Sequence, residues 1–116
     1  MTVGEAIERA CVLHPLEGET KSMYAWLSEL EARVSDLLGS CEEKDLTSDD
    51  DGTELMAPKA YCELYPIYLM MKRELSVGDG ERYGALADAF DRVYAELKAY
   101  ACRTAALKSP HYIKTV

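Results

Sequence analysis

The chain has 116 residues, a length typical of one domain built around a single hydrophobic core. Hydrophobic residues make up 48% and charged residues 29%, a globular composition that excludes disorder along the whole chain. The formal net charge of -8 argues against a general nucleic-acid binder, because contacts to phosphate need Lys and Arg.

The negative charge is concentrated in one short segment. Residues 42–54 contain seven acidic residues and one basic residue, so they carry -6 of the net charge of -8. From residue 98 onward the chain has no acidic residue, and its basic residues there are Lys98, Arg103, Lys108 and Lys114. This asymmetry makes the acidic segment and the basic C-terminal stretch the first candidates for contacts with other proteins.

Two amphipathic helices are predicted at the start of the chain. Thr2-Val3-Gly4-Glu5 is a capping-box pattern, and it predicts a first helix over residues 2–13 that ends before Pro15. A second helix is predicted over residues 21–39, with Gly39 as its C-terminal cap. Its apolar stripe consists of Met23, Trp26, Leu27, Leu30, Val34, Leu37 and Leu38.

Residues 40–57 show no periodicity and are rich in Ser, Thr, Asp and Gly, which predicts a loop. Its acidic part is expected to be solvated and self-repelling, and a loop of this length is usually functional or mobile. Asp49-Asp50-Asp51-Gly52 is similar to part of a calcium loop, but counting from Gly52 puts Thr47 and Pro58 where an EF-hand needs acids. The EF-hand match therefore fails, and a weak calcium site of another kind is the alternative to a solvated loop. Leu55-Met56-Ala57 is a short apolar stretch at the end of the loop, called the apolar return below, and we expect it to dock on the helices.

Two further helices are predicted beyond the loop. The third spans residues 59–77, with Pro58 opening it and Pro66 predicting a kink or a late start. The fourth spans residues 80–107 after a short glycine turn, so the two should form an antiparallel hairpin. Residues 108–116 form a tail, either a strand or an arm. The predicted fold is therefore all-α, a small four-helix domain with a long hairpin of helices 3 and 4 and an acidic loop between helices 2 and 3.

No motif for catalysis, cofactor binding or metal binding is found. The cysteines are widely spaced and the two histidines show no ligand spacing, so we expect free, mostly buried thiols in a reducing compartment. Glu5 and Glu8 lie where a signal peptide would have apolar residues, so no signal peptide is predicted. The sequence contains no run of 18 apolar residues, so no membrane-spanning helix is predicted. The cysteines and histidines are Cys11, Cys41, Cys62, Cys102, His14 and His111.

Tyrosine is the most unusual feature of the composition, with 8 Tyr against 1 Trp and 1 Phe. One interpretation places these rings at the edge of the core with their hydroxyls in water. The other places some of them in a protein–protein surface, where Tyr is enriched. The residues concerned, on the two helices of the hairpin, are Tyr61, Tyr65, Tyr68, Tyr83, Tyr94 and Tyr100.

Several short strings, in their order along the chain, resemble the head–tail connector (head-completion) proteins of tailed phages from prophages of Gram-positive bacteria. The likeness extends to about Arg103. Pro66 and the tail from Leu107 depart from the family pattern. The strings that carry it are Thr2-Val3-Gly4-Glu5-Ala6-Ile7-Glu8, Trp26-Leu27-Ser28-Glu29-Leu30-Glu31-Ala32-Arg33, Thr53-Glu54-Leu55-Met56-Ala57-Pro58, Tyr61-Cys62-Glu63-Leu64-Tyr65, Glu81-Arg82-Tyr83 and the Phe90–Tyr94 region.

The resemblance implies a helical structural subunit without a catalytic site. Proteins of this family assemble as rings beneath the portal and bridge the capsid vertex to the tail. The implied partners are the portal, a tail-side adaptor and further copies of the chain, without a cofactor, sequence-specific nucleic-acid binding or a membrane. The implied location is the virion, after assembly in the bacterial cytoplasm.

We hypothesise that the acidic loop of one copy contacts the basic C-terminal stretch of the next. An acidic helical regulator that binds a host or phage protein is the alternative, and a DNA mimic would spread its carboxylates more widely. An enzyme would require a buried carboxylate with a shifted pKa, or a Cys–His contact, lining a pocket. The candidate contact residues are Asp49, Asp50, Asp51, Glu54, Lys108, His111, Tyr112 and Lys114.

Overall fold

The computed structural model describes residues 1–13, 20–39, 45–78 and 80–108. Within these residues the chain is helical and contains no strand, so the predicted all-α class is confirmed. Thr2 and Glu54 form one isolated antiparallel bridge. The α-helices are α1 (Val3–Leu13), α2 (Thr20–Leu37), α3 (Leu64–Val77) and α4 (Gly80–Lys108), and short 3-10 helices span Ser48–Asp50 and Lys59–Tyr61.

Helix α3 is the central element of the domain. It packs against α4 on one side and against both α1 and α2 on another. Four of its side chains, Leu64, Tyr65, Tyr68 and Leu69, are at most 1% exposed. A helix whose apolar residues extend around most of its circumference is stable only when other elements cover it.

Helix α3 begins later than the 59–77 predicted from the sequence. Pro58 does not open α3; it precedes the 3-10 helix Lys59–Tyr61 instead. Pro66 is the third residue of α3, in the first turn, where a backbone N–H has no acceptor within the helix. The late start at Leu64 therefore accommodates Pro66 without a lost helical hydrogen bond, and it replaces the kink that was the other expectation.

A glycine turn joins α3 to α4, as predicted. Gly78 has φ of 89°, a left-handed conformation that favours glycine, and its N–H donates to Glu74 O at 2.8 Å. The buried Glu74 carboxylate lies 4.0 Å from the Arg82 guanidinium, which links the two helices across the turn. The resulting hairpin is the predicted one.

Aromatic side chains fill the contact between α3 and α4. The Tyr68 and Phe90 rings lie 5.3 Å apart, and the Phe90 and Tyr94 rings stack at 5.5 Å. Nearer the start of α3, Tyr61 meets Tyr100 at 5.5 Å. Tyr65 and Tyr68 are buried, so these two tyrosines belong to the core and not to an exposed protein-binding surface. The other four tyrosines of the hairpin are half-buried: Tyr61, Tyr83, Tyr94 and Tyr100.

The cysteines of the described residues are free thiols. Cys62 is buried and Cys11 half-buried, but Cys102 is exposed on α4, contrary to the expectation of mostly buried thiols. Cys41 lies outside the described residues. Among the helices that the structure describes, none has a stretch long and apolar enough to cross a membrane.

Replacing Leu69 with Ala should lower the free energy of unfolding by about 2–5 kcal/mol, because it leaves a cavity where α3 is fully covered. The matched control is Leu75→Ala on the same helix, where the side chain is 57% exposed; it should change stability by less than about 0.5 kcal/mol. Urea denaturation followed by circular dichroism measures both. Equal effects of the two substitutions would contradict the central position of α3.

Candidate partner-binding surface

The acidic segment, defined here as residues 45–54, is folded against the start of α1. Val3 N–H donates to Thr53 O and Gly4 N–H donates to Asp51 O, both at 3.0 Å. Leu55 N–H in turn donates to Met1 O at 2.9 Å. The first N–H groups of a helix have no acceptor within it, so carbonyls of the acidic segment supply what α1 lacks.

This pairing requires close approach of the two backbones. A Cβ atom at Gly4 would lie 3.1 Å from Asp51 O and 3.3 Å from Asp51 Cβ, tighter than ordinary contacts. Glycine at position 4 therefore lets the acidic segment lie directly on the first turn of α1.

Two capping boxes frame the contact. The predicted one is confirmed: Glu5 N–H donates to Thr2 Oγ1 at 3.2 Å, and Thr2 N–H donates to Glu5 Oε1 at 3.3 Å. A second, missed in the sequence analysis, joins Thr47 and Asp50 around the short 3-10 helix. The signal for it in the sequence is the Thr-x-x-Asp spacing of Thr47 and Asp50.

Three of the four acidic residues proposed as contacts have carboxylates that accept hydrogen bonds from other groups of the chain. Asp50 accepts from Thr47 N–H at 2.9 Å, and Asp51 accepts from the Tyr24 hydroxyl at 2.5 Å. Glu54 accepts from the Met1 amino group at 3.1 Å. Most of the acidic segment is exposed to solvent, as expected, and local donors offset part of the repulsion between its carboxylates.

Asp45 and Asp49 differ from these three residues. Both are exposed, and within the described residues neither carboxylate makes a hydrogen bond or ion pair. Only the Asp49 backbone takes part in the local structure, where its N–H donates to Thr47 Oγ1 at 3.3 Å. Asp45 and Asp49 are thus the exposed carboxylates of the acidic segment that no donor among the described residues engages.

Tyr24 on α2 is a residue of this surface that the sequence analysis did not identify. The hydrogen bond from its hydroxyl to Asp51 raises the pKa of Tyr24 to about 12, with burial contributing less. Neither the helical period nor the composition distinguishes Tyr24 from a core-edge tyrosine. Its role follows from the position of Asp51, 27 residues later in the chain.

Apolar and polar anchors hold both ends of the acidic segment on α2. At its start, buried Leu46 donates its N–H to Ser28 Oγ at 2.8 Å. At its end, Met56 N–H donates to Glu31 Oε1 at 2.8 Å, and Ala57 N–H donates to the Tyr65 hydroxyl at 3.0 Å. The predicted docking of the apolar return at 55–57 is confirmed, since Leu55 and Ala57 are buried.

Glu31 is half-buried and comes nearest to the pKa-shifted carboxylate that an enzyme would require. Burial raises its pKa above the ordinary value near 4.5, opposed chiefly by the hydrogen bond from the Met56 N–H. The adjacent cleft has a volume of about 110 Å³, well below the roughly 300 Å³ at which ligand pockets begin. Because its carboxylate accepts the hydrogen bond from Met56 N–H, Glu31 anchors the end of the acidic segment on α2.

The basic half of the predicted contact is only partly described. Lys108 is the last residue of α4, and its side chain lies outside the description, as do His111, Tyr112 and Lys114 entirely. The predicted contact of these residues with the acidic segment therefore lies outside the described residues. It also contains, in the residues described, no group of three or more His, Cys, Asp or Glu side chains able to hold a metal ion.

Asp51→Asn should lower the pKa of Tyr24 from about 12 toward its ordinary value of 10.0, because the hydroxyl then donates to a neutral acceptor. The raised pKa adds stability that is complete below about pH 10 and is lost as pH rises through about 12. Titration of the Tyr24 ring carbon by NMR measures the shift. Asp49→Asn is the matched control and should leave the pKa of Tyr24 unchanged.

Glu31→Gln should keep the acceptor for Met56 N–H and remove the cost of a buried charge. Glu31→Ala should be about 1–3 kcal/mol less stable than Glu31→Gln, because it leaves that N–H unpaired. Because the folded-state pKa of Glu31 is raised, its contribution to stability is largest below pH 4.5 and falls as pH rises through the raised pKa. Urea unfolding across this range should show wild type losing stability relative to Glu31→Gln; parallel curves would contradict the assignment.

Comparisons with protein-family models, with curated proteins and with solved structures found no match to this chain.

Proposed function

We propose that this chain is a structural protein of tailed phages, a head–tail connector that joins the portal vertex of the capsid to the tail. The main support for the proposal is where the segments that resemble connector proteins lie in the fold. Residues 2–8 cap and form the start of α1, residues 26–33 lie in α2, and residues 53–58 make the docked return. Residues 61–65 lead into α3. The likeness thus covers the elements that build the body of the domain.

The charge distribution supports assembly by head-to-tail contacts. Contacts between two different surfaces of identical subunits close into a ring when the rotation between neighbours permits it. In this proposal the acidic segment of one copy faces the basic C-terminal stretch of the next, and the portal and a tail-side adaptor cover the ends of the ring. In this proposal the ring is assembled in the bacterial cytoplasm and becomes part of the virion.

The ordered state of the acidic segment favours its use as a contact. Its backbone is paired with α1, and its ends are anchored on Ser28 and Glu31 of α2. A segment that is ordered before binding loses less conformational entropy when a partner arrives. Asp45 and Asp49 are then available for charge pairing without loss of internal hydrogen bonds.

The test is cosedimentation of the chain with purified portal rings at two salt concentrations. The double variant Asp45→Asn, Asp49→Asn should bind about threefold to tenfold more weakly at low salt, the range expected for two exposed ion pairs. Its salt dependence should also be reduced.

The matched control is the double variant Asp88→Asn, Asp91→Asn, which removes the same charge from exposed positions of α4. It should bind and assemble as wild type does. Absence of wild-type cosedimentation with portal rings would contradict the connector function. Equal weakening by both double variants would contradict the role of the acidic segment.

A further inference from the structure

A cleft of about 580 Å³ lies between α1 and α3, on the side of α3 that α1 covers incompletely. Pro66, Ile67 and Met70 form its apolar floor. Glu5, Glu8 and Glu63 lie around it, all three with exposed side chains. Its volume is within the roughly 300–1,000 Å³ typical of ligand pockets.

Helical spacing explains why these residues share one groove. Glu63, Pro66, Ile67 and Met70 follow each other at intervals of three, one and three residues, so they lie along one side of α3. Glu5 and Glu8 are similarly spaced on α1. Each wall of the cleft is therefore a continuous helix face.

The charge around the cleft is negative. Three glutamates face one cation within the lining, the exposed Arg9. An adjoining cleft of about 490 Å³ shares Glu5, Arg9 and Glu63 and adds Glu54 of the acidic segment, together with Lys59 and the Met1 amino group, which offset its negative charge. The groove therefore continues to the acidic segment, while the excess of glutamates in its own lining favours an occupant that combines apolar side chains with positive charge.

We propose that this groove binds the C-terminal segment, residues 108–116, of a second copy of the chain. In sequence that segment places Tyr112, Ile113 and Val116 among Lys108, His111 and Lys114, with no acidic residue. Its apolar residues match the floor of the groove, and its lysines match the surrounding glutamates. The inference rests on the proposed head-to-tail association and extends the contact of the basic stretch from the acidic segment into the adjoining groove.

The course of α4 favours a second copy over the same copy. Near its end α4 lies beside the C-terminal end of α2, where Ala101 and Thr104 line a separate cleft with Leu37 and Leu38. None of these residues lines the groove between α1 and α3. The described end of α4 thus lies against a different part of the domain from the groove.

The experiment titrates the full chain into a fluorescein-labelled, amidated peptide of residues 107–116 and follows anisotropy. The wild-type chain should bind, and the double variant Glu8→Gln, Glu63→Gln should bind about threefold to tenfold more weakly. Asp88→Asn with Asp91→Asn on α4 is the matched charge control and should bind as wild type does.

Ile67→Ala tests the apolar floor and should weaken peptide binding at least fivefold. Leu75→Ala, on the same helix but outside the groove, is its control and should have no effect. Circular dichroism verifies that each variant is folded. A peptide that does not bind at 1 mM (about 4 kcal/mol of affinity), or equal binding by all variants, overturns the proposal.

Dilution distinguishes a second copy from the same copy. If the tail docks between copies, the methyl resonances of Ile67 and Met70 in the full chain should shift with protein concentration, and Ile113→Ser should abolish the shift. Resonances that respond to Ile113→Ser but not to dilution indicate docking within one copy and overturn the proposal. Because no portal is present, peptide binding without portal cosedimentation would contradict the connector function alone, and the reverse result would contradict the groove alone.

Discussion

The burial of α3 is the constraint on which the rest of this structure depends. Its apolar side chains extend around most of the helix, and each of the other helices packs on a part of that surface. Full burial of one such side chain contributes about 1.5–3 kcal/mol, so the covered face of α3 makes a large contribution to stability. Pro66 sets where this helix begins, because its ring is accommodated only in the first turn.

The core and the acidic segment are connected through Tyr65. Its ring is buried in the core, and its hydroxyl accepts the Ala57 N–H at 3.0 Å. Beside it, Glu31 accepts the Met56 N–H. These two acceptors satisfy backbone donors that would otherwise be buried without a partner. The position of the acidic segment is thereby fixed relative to α2 and α3.

An acidic segment can be ordered when its carboxylates serve as acceptors. Asp50 caps a turn, and Asp51 receives the Tyr24 hydroxyl. The carbonyls of Asp51 and Thr53 complete the start of α1. Asp45, Asp49, Asp51 and Glu54 are all exposed, and Glu54 lines the cleft that adjoins the groove between α1 and α3. Charge and apolar surface therefore adjoin, which is the combination that a basic, apolar segment of a neighbouring copy requires.

The sequence alone determined the fold class, the capping of α1 and the hairpin of α3 and α4. It also determined the cap at Gly39, which has φ of 80° just beyond the end of α2. Each depends on residues within one turn or one helix face, where periodicity and capping patterns are reliable. The start of α3 was predicted too early, because Pro58 and Pro66 are equally acceptable in a first turn and the choice depended on burial. Only the tertiary structure decided that the acidic segment is folded, since its partners Met1, Gly4, Tyr24 and Glu31 are distant in sequence. The groove beside α1 was also beyond prediction, because it depends on how two helices separated by 50 residues pack together.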